Sequence, residues 1–359
     1  MLKNSKCGQF LSCLEFAILN SLYCDVILKP KQVICLEKAF LNLDILVVLP
    51  TGYGKSLIFY LLPALLYAKK HGVSKSEINI TSIIVVVSPL NALIANQILR
   101  LASSGIRATV VDVRSSIEVE EEDKEILACD LRLSDKAKLE IGHYNIVFAH
   151  PETFVSCAYG RKLMQSEPYQ ENVCAIVVDE AHCILEWGKD FRVDYGNLAV
   201  LCATFSSAPV VAMTATANKT DRELIKNSLG LKLCAEVVGN PDRRNIKYEK
   251  HFRGGPDVDS LVKILTPIAE DLLKKLTNYP LTIIYLPLKW CGFAYKIFES
   301  VLGNSQYFPT GSASIPENRL FAQFHSPQTQ EMKDEVLKQL CSSESTIRGI
   351  CYSGSGNGG

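Results

Sequence analysis

Short apolar runs rich in β-branched residues recur along the first two thirds of the chain. They are Asp44 to Leu49, Ser82 to Val87, Ala108 to Val113, Asn145 to Ala149, Val173 to Val178 and Pro209 to Met213. Stretches with helical spacing separate them, of which Lys55 to Lys70 and Leu90 to Ser103 are the clearest. Strands apolar on both faces and alternating with helices predict a parallel α/β sheet covered on both sides. The pattern weakens before the turn-rich Gly239 to Arg244, which reads as a linker. It then restarts. Helices are expected at Val258 to Leu276, Cys291 to Leu302 and Gln328 to Leu340, and strands at Leu281 to Leu286 and Thr346 to Tyr352. The predicted organisation is therefore one α/β domain over residues 1–240, a shorter α/β domain over 241–352, and a Gly/Ser tail over 353–359 that cannot pack.

Composition changes this picture little. The 359 residues are 48% hydrophobic and 21% charged, with formal net charge zero, which neither suggests nor excludes a nucleic-acid partner. Six acidic residues in Glu118 to Glu125 read as a solvated surface insertion. The 13 cysteines contain no C-x-x-C pair, so no zinc site is expected. Cys174, Cys202 and Cys291 sit in apolar runs and read as small buried hydrophobes of a reducing compartment. The sequence predicts neither a signal peptide nor a membrane span.

Chemistry is concentrated where strands end. Leu49-Pro50-Thr51-Gly52-Tyr53-Gly54-Lys55-Ser56 follows a strand and opens a helix. Glycines there let backbone N–H groups approach phosphate oxygens, and the helix N-terminus favours negative charge. Lys55 supplies a cation for the β- and γ-phosphates, and the Ser56 hydroxyl can ligate Mg²⁺. Leu49 stands where the general phosphate-loop pattern has Gly. Asp179-Glu180-Ala181-His182 directly follows a strand, which places it at the carboxyl edge of the sheet beside the phosphate loop. One carboxylate can hold Mg²⁺ and its neighbour can orient and deprotonate the attacking water. Thr214 and Thr216 follow the next strand. Alone they read as a strand-end turn; third in this order, they suit a link between nucleotide state and the acidic pair.

The succession PTGYGKS, SPLNALIANQ (Ser88 to Gln97), DEAHCILEWGKDFRVDY (Asp179 to Tyr195) and TATA (Thr214 to Ala217) resembles the RecQ family of superfamily 2 DNA helicases, over roughly Tyr23 to Arg348. The resemblance implies a RecA-like domain followed by a second, truncated RecA-like domain. It implies ATP and Mg²⁺ as cofactors, single-stranded or forked DNA as partner, and a nuclear location. Lys55, Asp179, Glu180 and His182 are then the catalytic set, with Ser56 and Asp179 toward the metal. Gln32, Thr51, Gly52, Gly54, Lys55 and Ser56 would hold the nucleotide. Gln32 lies in a segment similar to the family's adenine-recognition motif, with Lys29 in place of its stacking arginine.

Pro89 and Asn91 lie where the family touches the DNA backbone, and His150-Pro151-Glu152 resembles a further DNA-contacting motif. Trp187, Phe191, Arg192 and Tyr195 match the family's aromatic-rich loop. Their rings and guanidinium could stack on bases of single-stranded DNA; the plainer reading of Trp187 and Phe191 is as core aromatics. Arg243 to Ile246, Ile283 to Tyr285, Phe324 to Ser326 and Thr346 to Ile350 resemble pieces of the family's second domain. The motif that carries its arginine finger is absent from these 359 residues, so slow hydrolysis by this polypeptide is expected. The rival readings are a superfamily 2 RNA helicase, a regulatory fragment that binds nucleic acid without a motor cycle, and an unrelated ATPase.

Overall fold

Alternation along the strands decides the architecture. In a computed structural model of the chain, Ile45 and Val47 enter one apolar core while Leu46 and Val48 enter another on the opposite side of the sheet. Ile84 and Val86 against Ile83, Val85 and Val87 do the same. Side chains one residue apart leave a strand on opposite faces, so a strand apolar at every position requires cover on both. The structure describes residues 5–21, 26–73, 79–89, 91–102, 104–111, 133–187, 193–231, 233–242, 245–252, 254–255, 257–342 and 344–353.

The described residues form two compact units, Met1–Arg244 and Asn245–Gly359. The first unit is built on a parallel sheet of seven strands: β1 (Ile45–Val48), β2 (Ile83–Val87), β3 (Ala108–Val111), β4 (Ile146–Ala149), β5 (Val173–Val178), β6 (Val210–Thr214) and β7 (Ala235–Val238). Their order across the sheet is β3-β4-β2-β5-β6-β1-β7. On one face pack the helices Ser5–Leu19, Pro30–Phe40, Lys55–His71 and Asn91–Ala102. Phe59 from the third of them meets Phe148 of β4 edge to face, with centroids 6.1 Å apart. Burying each such ring contributes about 1.5–3 kcal/mol. The helices between residues 133 and 229 cover the opposite face, with Tyr169, Tyr195 and Phe205 in its core. Local signals close the last of them: Asn218 and Asp221 exchange capping bonds at its start, and Gly230 takes the left-handed conformation at its end.

The second unit holds three parallel strands, β8 (Thr282–Tyr285), β9 (Phe321–Phe324) and β10 (Gly349–Tyr352), in the order β8-β10-β9. Helices Val258–Lys275 and Leu288–Leu302 share one core with this sheet, and Val336 of helix Gln330–Cys341 packs with Ile350 in another. The α/β class with parallel sheets therefore holds in both units. The strand expected at Ala108 to Val113 is described as far as Val111. The acidic stretch Glu118 to Glu125 lies outside the described residues, as does most of the tail. Among the described residues no helix is long and apolar enough to cross a membrane.

Candidate nucleotide and nucleic-acid site

Carboxyl ends of the central strands gather the candidate residues along one sheet edge. In spatial order they are His150 after β4, Ser88 after β2, Asp179 after β5, Thr214 closing β6, and the phosphate loop after β1. The acidic segment is thus not on the strand next to the phosphate loop: β6 stands between them. Ladder bonds knit the edge together, Leu49 N donating to Thr214 O (3.1 Å), Asp179 N to Val87 O (2.9 Å) and Ala181 N to Met213 O (2.8 Å).

The phosphate loop has the backbone its sequence demands. Gly52 (φ +81°) and Gly54 (φ +90°) both occupy the left-handed region that side chains resist, and Gly54 caps the helix Lys55–His71. A Cβ on Gly54 would stand 2.7 Å from Gln32 Nε2, so the second glycine is required twice over. The Lys55 ammonium donates to Leu49 O at 3.0 Å, which fixes its stem across the loop and leaves two further N–H groups. Thr51 is exposed at the tip of the loop.

Gln32 serves this loop in a way the sequence did not suggest. Its Oε1 accepts from Lys29 N (2.7 Å), and its Nε2 donates to Gly54 O (2.9 Å) and Tyr53 O (3.3 Å). The residue is 3% exposed. Both ends of the amide are committed to main chain, so reading adenine through it requires these bonds to be exchanged. Lys29 lies over the Tyr53 ring, 4.8 Å from its centroid, and donates to Tyr53 O (3.0 Å). The lysine therefore braces the loop.

Asp179 is buried, and its carboxyl is pushed up to about 6, first by burial and then by the neighbouring Glu180 charge. A bond from Glu180 N (3.0 Å) and the positive charge of Lys55 act against that rise. The desolvated Asp179 carboxylate and the neutral Ser56 hydroxyl are oxygen donors of the kind a hard divalent cation takes. The residues present fit Mg²⁺.

Glu180 has φ +48°, a strained conformation for a residue with a side chain. Its Oε2 lies 3.3 Å from His182 Nδ1, and the same nitrogen lies 3.0 Å from Thr214 Oγ1. Thr214 is fully buried and spends its own proton on Thr216 O (3.0 Å), while its oxygen accepts from Thr216 N (3.1 Å). Thr214 therefore accepts from the ring, which fixes the proton on Nδ1 of His182.

The expected nucleic-acid residues are placed less uniformly. Pro89 is buried at the end of the loop after β2, and Asn91 begins the helix Asn91–Ala102. Trp187 closes the short helix Cys183–Trp187; Phe191 and Arg192 lie outside the described residues. Tyr195 corrects the expectation of an exposed stacking ring. It is fully buried in the core on one face of the sheet, where its size and apolar ring are better accommodated than at the surface. His150 Nδ1 lies 2.9 Å from Ser88 O, joining the two loops expected to meet DNA. Gln97, which sequence reasoning passed over, donates to Ser56 Oγ at 2.9 Å.

The model of the DEAD/DEAH box helicase family matches residues 29–225, more than half of the chain. The ATP-dependent DNA helicase RecQ of Haemophilus influenzae is 33% identical over 205 residues, 57% of this chain and 28% of that protein. The ATP-dependent DNA helicase Q5 of Mus musculus is 35% identical over 211 residues, 58% of this chain and 19% of that protein. The matched region thus spans less than a third of either relative. Among solved structures, the DUF1998 helicase MrfA bound to DNA and AMPPNP superposes with a TM-score of 0.61 over 98% of this chain and 44% of its own, at 16% identity, a likeness of fold. The phosphate loop, the acidic segment and the family match agree: the chain belongs to the DEAD/DEAH box helicases, and among them it is similar to the RecQ DNA helicases.

Proposed function

We propose that the chain carries the ATP-binding core of an ATP-dependent DNA helicase of RecQ type, which converts hydrolysis into movement along single-stranded DNA. The observation that carries this reading is the convergence at one sheet edge of a glycine-bound lysine loop, the buried Asp179 and the His182–Thr214 link. Lys55 and the N-terminus of its helix bind and orient the phosphates. Ser56 and Asp179 would hold Mg²⁺, which neutralises phosphate charge when bound. Glu180 would accept a proton from attacking water, and its contact with His182 would link it to Thr214 and Thr216.

The first unit is assigned as the helicase ATP-binding domain, and the second as part of the C-terminal RecA-like domain. The loops Ser88–Pro89 and His150–Pro151 are assigned to the DNA backbone, and the segment after Trp187 to bases. Movement is proposed to run 3′ to 5′.

The test is ATP hydrolysis with single-stranded DNA and with RNA as competing stimulants. Stimulation by DNA, lost in Lys55→Ala, is expected. Preferential stimulation by RNA would overturn the DNA reading, and turnover unaffected by Lys55→Ala would overturn the site.

A further inference from the structure

Ser56 and Tyr60 lie four residues apart on the helix Lys55–His71 and so share one of its faces. A single side chain from another helix reaches both. Gln97, on the helix Asn91–Ala102, donates from Nε2 to Ser56 Oγ at 2.9 Å, and its Oε1 accepts from the Tyr60 hydroxyl. In this orientation the donor end of the amide faces the Ser56 oxygen and its acceptor end faces the Tyr60 hydroxyl. A serine hydroxyl has one proton and two lone pairs. The amide N–H occupies one lone pair, leaving the other for a cation and the proton for a phosphate oxygen. Gln97 therefore holds Ser56 without competing for the atom's ligand role.

We propose that Gln97 is a positioning residue for the cation site: it orients the Ser56 hydroxyl, and Tyr60 locks the amide that does so. The proposal rests on the reading of the phosphate loop as a nucleotide–Mg²⁺ site. It goes beyond that reading by assigning a partner to the metal ligand from outside the loop. Side chains that hydrogen-bond metal ligands are commonly worth about 10- to 100-fold in metal affinity. Here the partner comes from the helix that follows the Ser88–Pro89 loop.

The experiment is equilibrium binding of a fluorescent methylanthraniloyl derivative of AMPPNP to the whole chain, titrated with Mg²⁺ and repeated in EDTA. In Gln97→Leu the Mg²⁺ concentration for half-maximal response is expected to rise roughly tenfold, with affinity in EDTA unchanged. Tyr60→Phe, which removes the hydroxyl facing the amide, is expected to shift the Mg²⁺ response in the same direction by less. A wild-type Mg²⁺ response in Gln97→Leu overturns the proposal alone. So does an equal loss of affinity with and without Mg²⁺, the result of a merely structural role. Absence of nucleotide binding by the unmodified chain overturns both this proposal and the nucleotide reading.

Discussion

His182 and Thr214 are joined across two neighbouring strand ends by a bond from ring Nδ1 to a fully buried hydroxyl, 3.0 Å long. The same Nδ1 faces Glu180 at 3.3 Å, so the ring stands between the Glu180 carboxylate and the end of β6. Thr214→Val keeps the shape and removes this acceptor along with the two bonds to Thr216, whose effect the double-mutant cycle with His182 separates from that of the ring contact. Loss of one such positioned bond, about 1–1.5 kcal/mol, corresponds to roughly tenfold in turnover. A roughly tenfold fall in DNA-stimulated ATP turnover is expected, with nucleotide affinity unchanged. His182→Ala should cause a similar fall, and the double variant little more than either alone. Strictly additive effects in that cycle would show that the bond carries no coupling.

Gly52 and Gly54 make a controlled comparison. Both have positive φ, but a Cβ on Gly52 meets nothing within 4 Å, whereas one on Gly54 meets Gln32 Nε2 at 2.7 Å. Gly52→Ala is expected to cost about 1–2 kcal/mol from conformation alone. Gly54→Ala should cost more and also weaken nucleotide binding, because Gln32 must leave Gly54 O. Urea midpoints and nucleotide titrations check this; equal losses in the two variants would remove Gln32 from the account of the loop.

Much of this arrangement was legible in the sequence, because strand runs apolar on both faces leave few alternatives to a covered parallel sheet. The strands β1, β2, β4, β5 and β6 fall where their apolar runs stand. β7 was not anticipated: Ala235–Val238 is an edge strand with two exposed positions, so its run is short and broken by Glu236. β9 was missed because Phe321–Phe324 includes Gln323 and has only one fully buried residue. Residue type also identified the phosphate loop and the acidic segment. It did not disclose Gln97 against Ser56 or Gln32 against Gly54, contacts between residues 41 and 22 positions apart that arise only when the helices pack. Tyr195 shows the same limit from the other side, since an aromatic position says nothing of which way the ring faces.

Burial of Tyr195 gives that correction a test. Tyr195→Ala removes a ring with no solvent exposure and is expected to destabilise by about 3–5 kcal/mol. Tyr195→Phe keeps the packing and should stay within about 1.5 kcal/mol of the parent. Under conditions where each variant remains folded, affinity for single-stranded DNA should be unchanged. A selective loss of DNA affinity in Tyr195→Phe, at parental stability, would return the residue to the nucleic-acid surface.

Glu180 combines strain with chemistry. Its φ of +48° puts a Cβ where glycine is at ease, at a cost of about 1–2 kcal/mol. The conformation is imposed from both sides: Asp179 N is tied to Val87 O, Ala181 N to Met213 O, and Glu180 N to Asp179 Oδ1. Glu180→Gln removes the charge and keeps the strain. Glu180→Gly removes both, offset in part by the greater freedom of glycine in the unfolded chain. Each variant should bind nucleotide and lose hydrolysis, since neither retains a carboxylate to accept the proton. They should differ in stability, Glu180→Gly exceeding Glu180→Gln by about 0.5–1 kcal/mol in urea unfolding. If the glycine variant is the less stable of the two, the left-handed backbone at Glu180 is not a source of strain and its conformation needs another cause.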